Sequence, residues 1–129
     1  MILLDTCAII WYALEPSKLT HKAKKAIKHA ENELIICDIS IWEISMLINR
    51  KRLIIDDTTS GFINLIIQSQ NYQVQKITPE IAERSVNFGA EINSDPADQL
   101  IAATSILKNA PIITADQNLR NATIVETIW

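Results

Sequence analysis

The segment MILLDT, residues 1–6, joins an unbroken apolar run to a carboxylate directly behind it. Four apolar residues in succession predict a short strand buried on both faces, which is typical of a parallel sheet. Asp5 then stands at the carboxyl end of this strand. Because a carboxylate there is costly to desolvate unless its charge is compensated, Asp5 is the first candidate functional residue.

Apolar runs and helix-spaced segments alternate along the rest of the chain. We predict further strands at residues 33–38, 72–76, 111–114 and 123–125, and helices at 6–14, 20–30, 40–50, 58–70, 78–92 and 95–108. Short buried strands that alternate with helices favour a parallel sheet covered on both faces. The predicted fold class is therefore α/β, an α/β/α sandwich with a central, mostly parallel sheet.

Composition limits the class of protein further. The chain has 129 residues, 48% of them hydrophobic and only two of them glycine, which favours a single domain over residues 1–129. A net charge of -3 provides no bulk attraction to nucleic acid, so any such binding depends on local basic patches. No signal peptide or membrane-spanning run is recognisable, and we expect a cytoplasmic protein.

Two cysteines, Cys7 and Cys37, fit no zinc or redox spacing. We expect Cys7 to pack in the core, with a thiol pKa raised by the nearby Asp5. His21 and His29 are too far apart to form a helical ligand pair and are interpreted as surface residues.

Four acids occupy strand-to-helix passages: Asp5, Glu43, Asp98 and Asp116. In open parallel sheets such passages meet at one edge, so we expect these side chains to converge. Two carboxylates ~5 Å apart at an effective dielectric of ~20 repel by about 3 kcal/mol, and no Lys or Arg adjoins these acids in sequence. A divalent cation relieves this repulsion, and a set of oxygen ligands favours Mg²⁺ or Mn²⁺. The pattern predicts metal-assisted phosphodiester hydrolysis.

Each acid also has a purely structural interpretation. Ser40-x-x-Glu43 fits a capping box, and for Glu43 taken alone this interpretation is preferred. Asp95 is expected to act mainly as a helix cap and is the less certain metal ligand. Asp116 fits an ordinary turn. The metal site is favoured because four acids occur together.

Four segments resemble the motifs of PIN-domain nucleases, and most closely those of VapC-type toxins of toxin–antitoxin pairs. They are Ile2-Leu3-Leu4-Asp5-Thr6, Ile41-Trp42-Glu43-Ile44, DPADQLIAAT at residues 95–104 and ITAD at residues 113–116. The resemblance covers essentially the whole chain. The segment at residues 95–104 is quite specific, whereas a strand ending in Asp-Thr is weak evidence alone.

The resemblance implies an Mg²⁺- or Mn²⁺-dependent endoribonuclease toxin with an α/β/α fold. It assigns the metal most directly to Asp5, Asp98 and Asp116, with Glu43 helping to hold the metal or its waters. Thr6 and Thr114 have supporting roles. The implied partners are an RNA substrate, for which a structured RNA such as tRNA is a candidate, a cognate antitoxin, and a second copy in a homodimer.

In three places this chain departs from the family pattern. Gln99, Asn93-Ser94 and Ala115 stand where relatives often carry basic residues. The acids themselves are unaffected. Fewer cations near the site leave RNA affinity and substrate choice open.

Two basic clusters and one apolar helix are candidate contact surfaces. The five lysines between Lys18 and Lys28, and Arg50-Lys51-Arg52, suit RNA phosphates, although solvated helix faces explain them equally well. The third helix is apolar on several faces, which indicates either full burial or a patch for an antitoxin peptide. Its apolar residues are Ile41, Trp42, Ile44, Met46, Leu47 and Ile48.

Two other functions compete with the nuclease. A catalytically silent PIN-fold interaction module has no reason to tolerate the repulsion of four acids. A different metal-dependent phosphoryl hydrolase, such as an aspartyl phosphatase, requires a second Asp two residues after Asp5, where Cys7 stands. With only Gly61 and Gly89, the chain also has no glycine-rich phosphate loop.

Overall fold

The computed structural model describes residues 1–29 and 31–129. Five short strands form one sheet in the order β3-β2-β1-β4-β5, and every neighbouring pair is parallel. Their bounds are Ile2–Leu4 (β1), Leu34–Cys37 (β2), Gln73–Gln75 (β3), Ile112–Ile113 (β4) and Thr127–Ile128 (β5). The predicted parallel sheet is confirmed.

Helices connect the strands and cover the sheet. Their bounds are Thr6–Leu14 (α1), His21–Lys28 (α2), Asp38–Asn49 (α3), Thr59–Gln70 (α4), Pro79–Ser85 (α5), Pro96–Lys108 (α6) and Gln117–Asn121 (α7), with a short 3-10 turn at Pro16–Lys18. Among residues 1–29 and 31–129, no helix is both long enough and apolar enough to cross a membrane.

The central strand divides the core into two halves because its side chains alternate between the faces of the sheet. Ile2 and Leu4 pack with residues of α1 to α4, whereas Leu3 packs with residues of α5, α6 and α7. All three side chains are buried. Burial on both faces explains the unbroken apolar run in this strand and confirms the α/β/α sandwich.

The predicted helix over residues 78–92 is too long, since α5 ends at Ser85. Asn87 donates a hydrogen bond of 2.8 Å from its side-chain amide to the backbone carbonyl of Glu83. This side chain thereby takes a carbonyl that a further helical turn would use. The chain then turns away from the helix and buries Phe88 in the core.

Two elements near the C-terminus also differ from the prediction. The last strand is Thr127–Ile128 and not residues 123–125, because Val125 packs into the core from a turn. A helix, α7, replaces the turn that was expected around Asp116. Ala30, the last residue of the helix predicted at residues 20–30, lies outside the described residues.

Candidate active site

The predicted acids meet at the carboxyl edge of the sheet. Asp5 directly follows β1 and Asp116 comes shortly after β4, which is the neighbour of β1. Glu43 lies on α3, and Asp98 lies in the first turn of α6. Because parallel strands open at the same edge, segments far apart in sequence reach one place.

One pocket of about 390 Å³ gathers these side chains. We call it the acidic pocket; its lining residues are Asp5, Thr6, Cys7, Trp11, Glu43, Asp95, Asp98, Ile101, Ala115 and Asp116. Five of these described residues carry a carboxyl group and none carries a positive charge. The expected convergence of the acids is therefore present in the structure.

Asp5 is the most buried acid of the pocket, with 7% of its surface exposed. One carboxylate oxygen accepts a hydrogen bond of 2.8 Å from the backbone N–H of Ala8, which caps α1. The other accepts from the hydroxyl of Thr114. Burial raises the pKa of Asp5 to about 6 despite both bonds, and repulsion from Asp116 and Glu43 adds to the effect.

Thr114 connects Asp5 to Asp116. Its hydroxyl donates to Asp5 and accepts a hydrogen bond of 3.0 Å from the backbone N–H of Asp116. Oδ1 of Asp116 caps α7 by accepting from the backbone N–H groups of Asn118 and Leu119 at 2.7 and 3.3 Å. Its Oδ2 accepts no hydrogen bond from the described residues, so this oxygen is available to a ligand.

Asp98 is held in a similar way by Asn93. The side-chain amide of Asn93 donates to Oδ2 of Asp98 at 3.0 Å, and its carbonyl oxygen accepts from the backbone N–H of Asp95 at 2.8 Å. Burial raises the pKa of Asp98 to about 6, the bond from Asn93 lowers it, and neighbouring carboxylates led by Asp116 raise it. The sequence gives no signal for this contact, because Asn93 stands out there only as a departure from the family motif.

Asp95 stands at the mouth of the same pocket as the cap of α6. Its Oδ1 accepts a hydrogen bond of 2.9 Å from the backbone N–H of Ala97. The predicted capping role is confirmed. A further role as a metal ligand stays a prediction.

The capping box predicted for Ser40 and Glu43 is wrong. Helix α3 already begins at Asp38, so Ser40 lies inside its first turn, fully buried. Glu43 instead accepts a hydrogen bond from the hydroxyl of Thr6. The hydroxyl oxygen of Thr6 also lies 3.0 Å from the hydroxyl oxygen of Ser40. Because Thr6 has one proton and a carboxylate only accepts, Ser40 donates to Thr6 and Thr6 to Glu43.

Glu43 shares the electrostatic environment of the other acids. Burial raises its pKa, the hydrogen bond from Thr6 lowers it, and Asp95 raises it. The side chain therefore faces the acidic pocket with a partly compensated charge. Its position is fixed by α1 through Thr6, not by its own helix terminus.

Two other residues of the acidic pocket were not predicted as site residues. Cys7 was expected in the core, but it is exposed at the pocket, because α1 turns this residue toward the acids. Its thiol pKa is raised to about 11 by desolvation and then by the carboxylates, first Asp5. Trp11 lies four residues, one helical turn, after Cys7 on α1. The two side chains therefore share one face of the helix, and this spacing could have indicated that Trp11 lines the pocket.

The carboxylates share one pocket, but three of them are not grouped closely enough to surround an ion. Within residues 1–29 and 31–129, no group of three or more His, Cys, Asp or Glu side chains is arranged as a ready-made metal site. Thr6, Asn93 and Thr114 each hold one acid against the pocket wall.

Comparison with known proteins agrees with the fold and the motifs. Residues 2–125 match the family described as PIN domain. Ribonuclease VapC22 of Mycobacterium tuberculosis is 31% identical over 120 residues, which is 93% of this chain and 90% of that protein.

Solved structures with the same fold include toxin–antitoxin complexes. One from Klebsiella pneumoniae has a TM-score of 0.68 and 21% identity, covering 98% of this chain and 97% of that one. VapBC2 from Rickettsia felis, bound to a DNA fragment from its promoter, has a TM-score of 0.73 and 15% identity with the same coverage. These identities support the fold, whereas the family match and the similarity to VapC22 carry the assignment: the chain belongs to the PIN-domain family and is of the VapC type.

Proposed function

We propose that this protein is an endoribonuclease toxin that hydrolyses RNA phosphodiester bonds with Mg²⁺ or Mn²⁺ held in the acidic pocket. The observation that carries the proposal is a pocket lined by five carboxyl groups and, among its described residues, no cation. Burial raises the pKa of Asp5 and of Asp98 to about 6, and repulsion from the neighbouring carboxylates adds to the effect, so a cation in the pocket would favour the ionised forms. The ribonuclease name of the relative VapC22 supports RNA as the substrate.

The residues of the acidic pocket fit a hard divalent cation because their donors are carboxylate oxygens. Asp5, Asp98 and Asp116 would hold the ion most directly, and Glu43 would hold it or its waters. When bound, such an ion would polarise the phosphodiester and lower the pKa of a coordinated water. Oδ1 of Asp98 and Oδ2 of Asp116 accept no hydrogen bond from the described residues, which leaves them free for this purpose.

The protein's own contribution is to keep the acids in place before a ligand arrives. Thr114 fixes Asp5 and the backbone of Asp116, Thr6 fixes Glu43, and Asn93 fixes Asp98 by the hydrogen bonds described above. Side chains that are held in this way lose less conformational freedom when a ligand draws the acids together.

We also propose that a cognate antitoxin binds along α3 and α4. Of the apolar residues predicted for an antitoxin patch on this helix, Ile44 is buried in the core and is not available to a partner. Trp42, in contrast, is 59% exposed. Ile41, Ile63 and Ile67 line a groove of about 510 Å³ between these helices. The solved neighbours described as toxin–antitoxin complexes support a protein partner. A homodimer remains an expectation from the family, to be tested by light scattering.

The nuclease proposal is tested by incubating the purified protein with tRNA or an unstructured RNA, in EDTA and with Mg²⁺ or Mn²⁺. We expect cleavage only with metal. Asp98→Asn should reduce the rate by about 100-fold or more, since several kcal/mol of charge stabilisation are lost. Asp56→Asn, at an exposed acid outside the pocket, is the matched control.

Cleavage that persists in EDTA, or that survives Asp98→Asn undiminished, would overturn the proposal. A folded wild-type protein that binds RNA but never cleaves it would favour the catalytically silent interaction module instead.

A further inference from the structure

A second groove lies beside the acidic pocket and has the opposite charge. It has a volume of about 230 Å³, and we call it the lateral groove; its lining residues are Lys22, Gln117, Arg120, Asn121, Thr127 and Trp129. Two of these residues are cationic and none is acidic. A chain that passes from the acidic pocket into this groove therefore meets positive charge.

The sheet places the lateral groove next to the acids. Strand β4 lies between β1 and β5, so the end of β5 is two strand spacings, about 10 Å, from the end of β1. Asp5 directly follows β1 and Trp129 directly follows β5. Helix α7 also joins the two sites. Asp116 caps this helix at the acidic pocket, and Arg120, about one turn or 6 Å further along the helix, lines the lateral groove.

Two tryptophans form the boundary between the acidic pocket and the lateral groove. Trp11 lines the acidic pocket and Trp129 lines the lateral groove, and their ring centroids are 5.9 Å apart. Both side chains are half-buried, so part of each ring remains accessible. The ammonium group of Lys18 lies 5.7 Å from the centroid of Trp11. Aromatic rings suit the stacking of nucleobases without preference for sequence, and a base that stacks on the covered face of Trp11 displaces Lys18.

Helix α2 extends the positive charge beyond the lateral groove. It carries four lysines and no acid. Lys24, Lys25 and Lys28, with His21 and His29, line an adjoining depression of about 460 Å³. The only ion pair within 4.0 Å among the described residues joins Lys18 to Glu15, so none of the lysines of α2 is held in an ion pair at that distance.

We infer that a single strand of RNA leaves the acidic pocket along this path, stacking bases on Trp11 and Trp129 and placing phosphates at Lys22 and Arg120. The inference rests on the proposed nuclease function and specifies how its substrate is held. The path favours the lysines of α2 over Arg50-Lys51-Arg52. That second cluster lies at the C-terminal end of α3, about 10 Å along the helix axis from Glu43 and away from the carboxyl edge of the sheet.

The phosphate contacts are tested by fluorescence anisotropy with a labelled single-stranded RNA of about 12 nucleotides in EDTA, so that cleavage does not interfere. Lys22→Ala combined with Arg120→Ala should weaken binding about 10-fold or more in low salt. The slope of log affinity against log salt should fall in magnitude by about 1.4, at roughly 0.7 per lost phosphate contact. Arg50→Ala combined with Arg52→Ala removes the same charge and should change affinity less than about twofold.

The stacking contacts are tested by tryptophan fluorescence. A Trp42→Phe variant leaves Trp11 and Trp129 as the only tryptophans, and added RNA should quench their emission. Trp129→Leu keeps apolar bulk against the core but removes the stacking surface, so RNA affinity should fall about 10-fold. Thermal unfolding of each variant shows whether the fold is retained. If Trp129→Leu does not fold, the quenching measured in Trp42→Phe still tests the stacking contacts.

Four results would overturn the inference: unchanged RNA affinity in the Lys22→Ala, Arg120→Ala protein, equal loss of affinity from both charge pairs, absence of quenching in Trp42→Phe, or equal competition by double-stranded RNA. Unchanged RNA affinity combined with weaker antitoxin binding by the Lys22→Ala, Arg120→Ala protein would assign the path to a protein partner instead. Because these assays contain no metal, they are independent of the cleavage test. A protein that binds RNA along this path but never cleaves it would refute the nuclease and leave the path standing.

Discussion

The buried hydroxyl of Thr114 donates a hydrogen bond to the carboxylate of Asp5, a residue 109 positions away in sequence. The same hydroxyl accepts the backbone N–H of Asp116 at 3.0 Å. One side chain at the end of β4 therefore fixes two acids that follow neighbouring strands. Since Thr114 is fully buried, the sheet sets this geometry without help from solvent.

Removing this hydroxyl should change the pH dependence of cleavage. The hydrogen bond from Thr114 lowers the pKa of Asp5, so Thr114→Val should raise that pKa further. The acidic limb of the rate profile should then move upward by about one pH unit, since a hydrogen bond to a charged group is worth about 1.5 kcal/mol. Rates between pH 5 and 9 check this, with Thr123→Val in an exposed turn as control. An unmoved acidic limb would show that Asp5 does not govern the reaction.

The stability of the metal-free protein should depend on Asp5 with a defined sign. Its pKa is raised from 3.8 to about 6, so the folded state binds this proton more tightly than the unfolded state does. Ionisation therefore destabilises the fold as the pH rises from 3.8 to about 6, by about 3 kcal/mol in total.

Asp5→Asn does not titrate and serves to isolate this effect. The free energy of unfolding of the variant minus that of the wild type should increase by about 2.4 kcal/mol between pH 4 and 7. Urea unfolding in EDTA at several pH values measures the difference. A difference that stays constant with pH would contradict the raised pKa.

Divalent cations should stabilise the fold if they bind the acidic pocket. At a concentration about 100 times the dissociation constant, binding adds about 2.7 kcal/mol, which is about 10 °C for a domain of this size. Thermal unfolding with and without Mn²⁺ at neutral pH measures the shift. Asp98→Asn should lose most of it and Asp56→Asn should keep it. The same shift in both variants would place the ion elsewhere.

Asn93 should act as a positioning residue for Asp98. Its side-chain amide lies 3.0 Å from Oδ2 of Asp98 and lowers the pKa of that carboxyl. Asn93→Ala should therefore reduce cleavage several-fold near pH 6.5 and recover toward the wild-type rate near pH 8.5, because more of Asp98 is then ionised. Asn64→Ala, on the exposed side of α4, is the control. A loss that does not change with pH would indicate a structural role only.

The sheet and its edge were predictable because buried parallel strands have a strong local signal. The run at residues 1–4 and the isoleucines at residues 112–113 are apolar without interruption, so each strand and the acid behind it follow from sequence. Asp95-Pro96 likewise predicts the start of α6 from capping alone.

The errors arise where tertiary contacts override local patterns. Ser40 fits a capping box by spacing, but the preceding residues already form the helix and bury it against Thr6. Cysteine is a residue type that is usually buried in the core, but Cys7 lies in the first turn of α1, which faces the acids, and it lines the acidic pocket. The lateral groove joins residues of α2, α7 and the C-terminus, and no local spacing predicts that combination.

The most direct test of the acidic pocket as a metal site is the anomalous scattering of Mn²⁺ in a crystal of the protein. We expect a peak within coordination distance, about 2.2 Å, of carboxylate oxygens of Asp5, Asp98 and Asp116, and its loss in Asp98→Asn. An empty pocket at saturating Mn²⁺, or a peak bound only by other residues, would contradict the central claim.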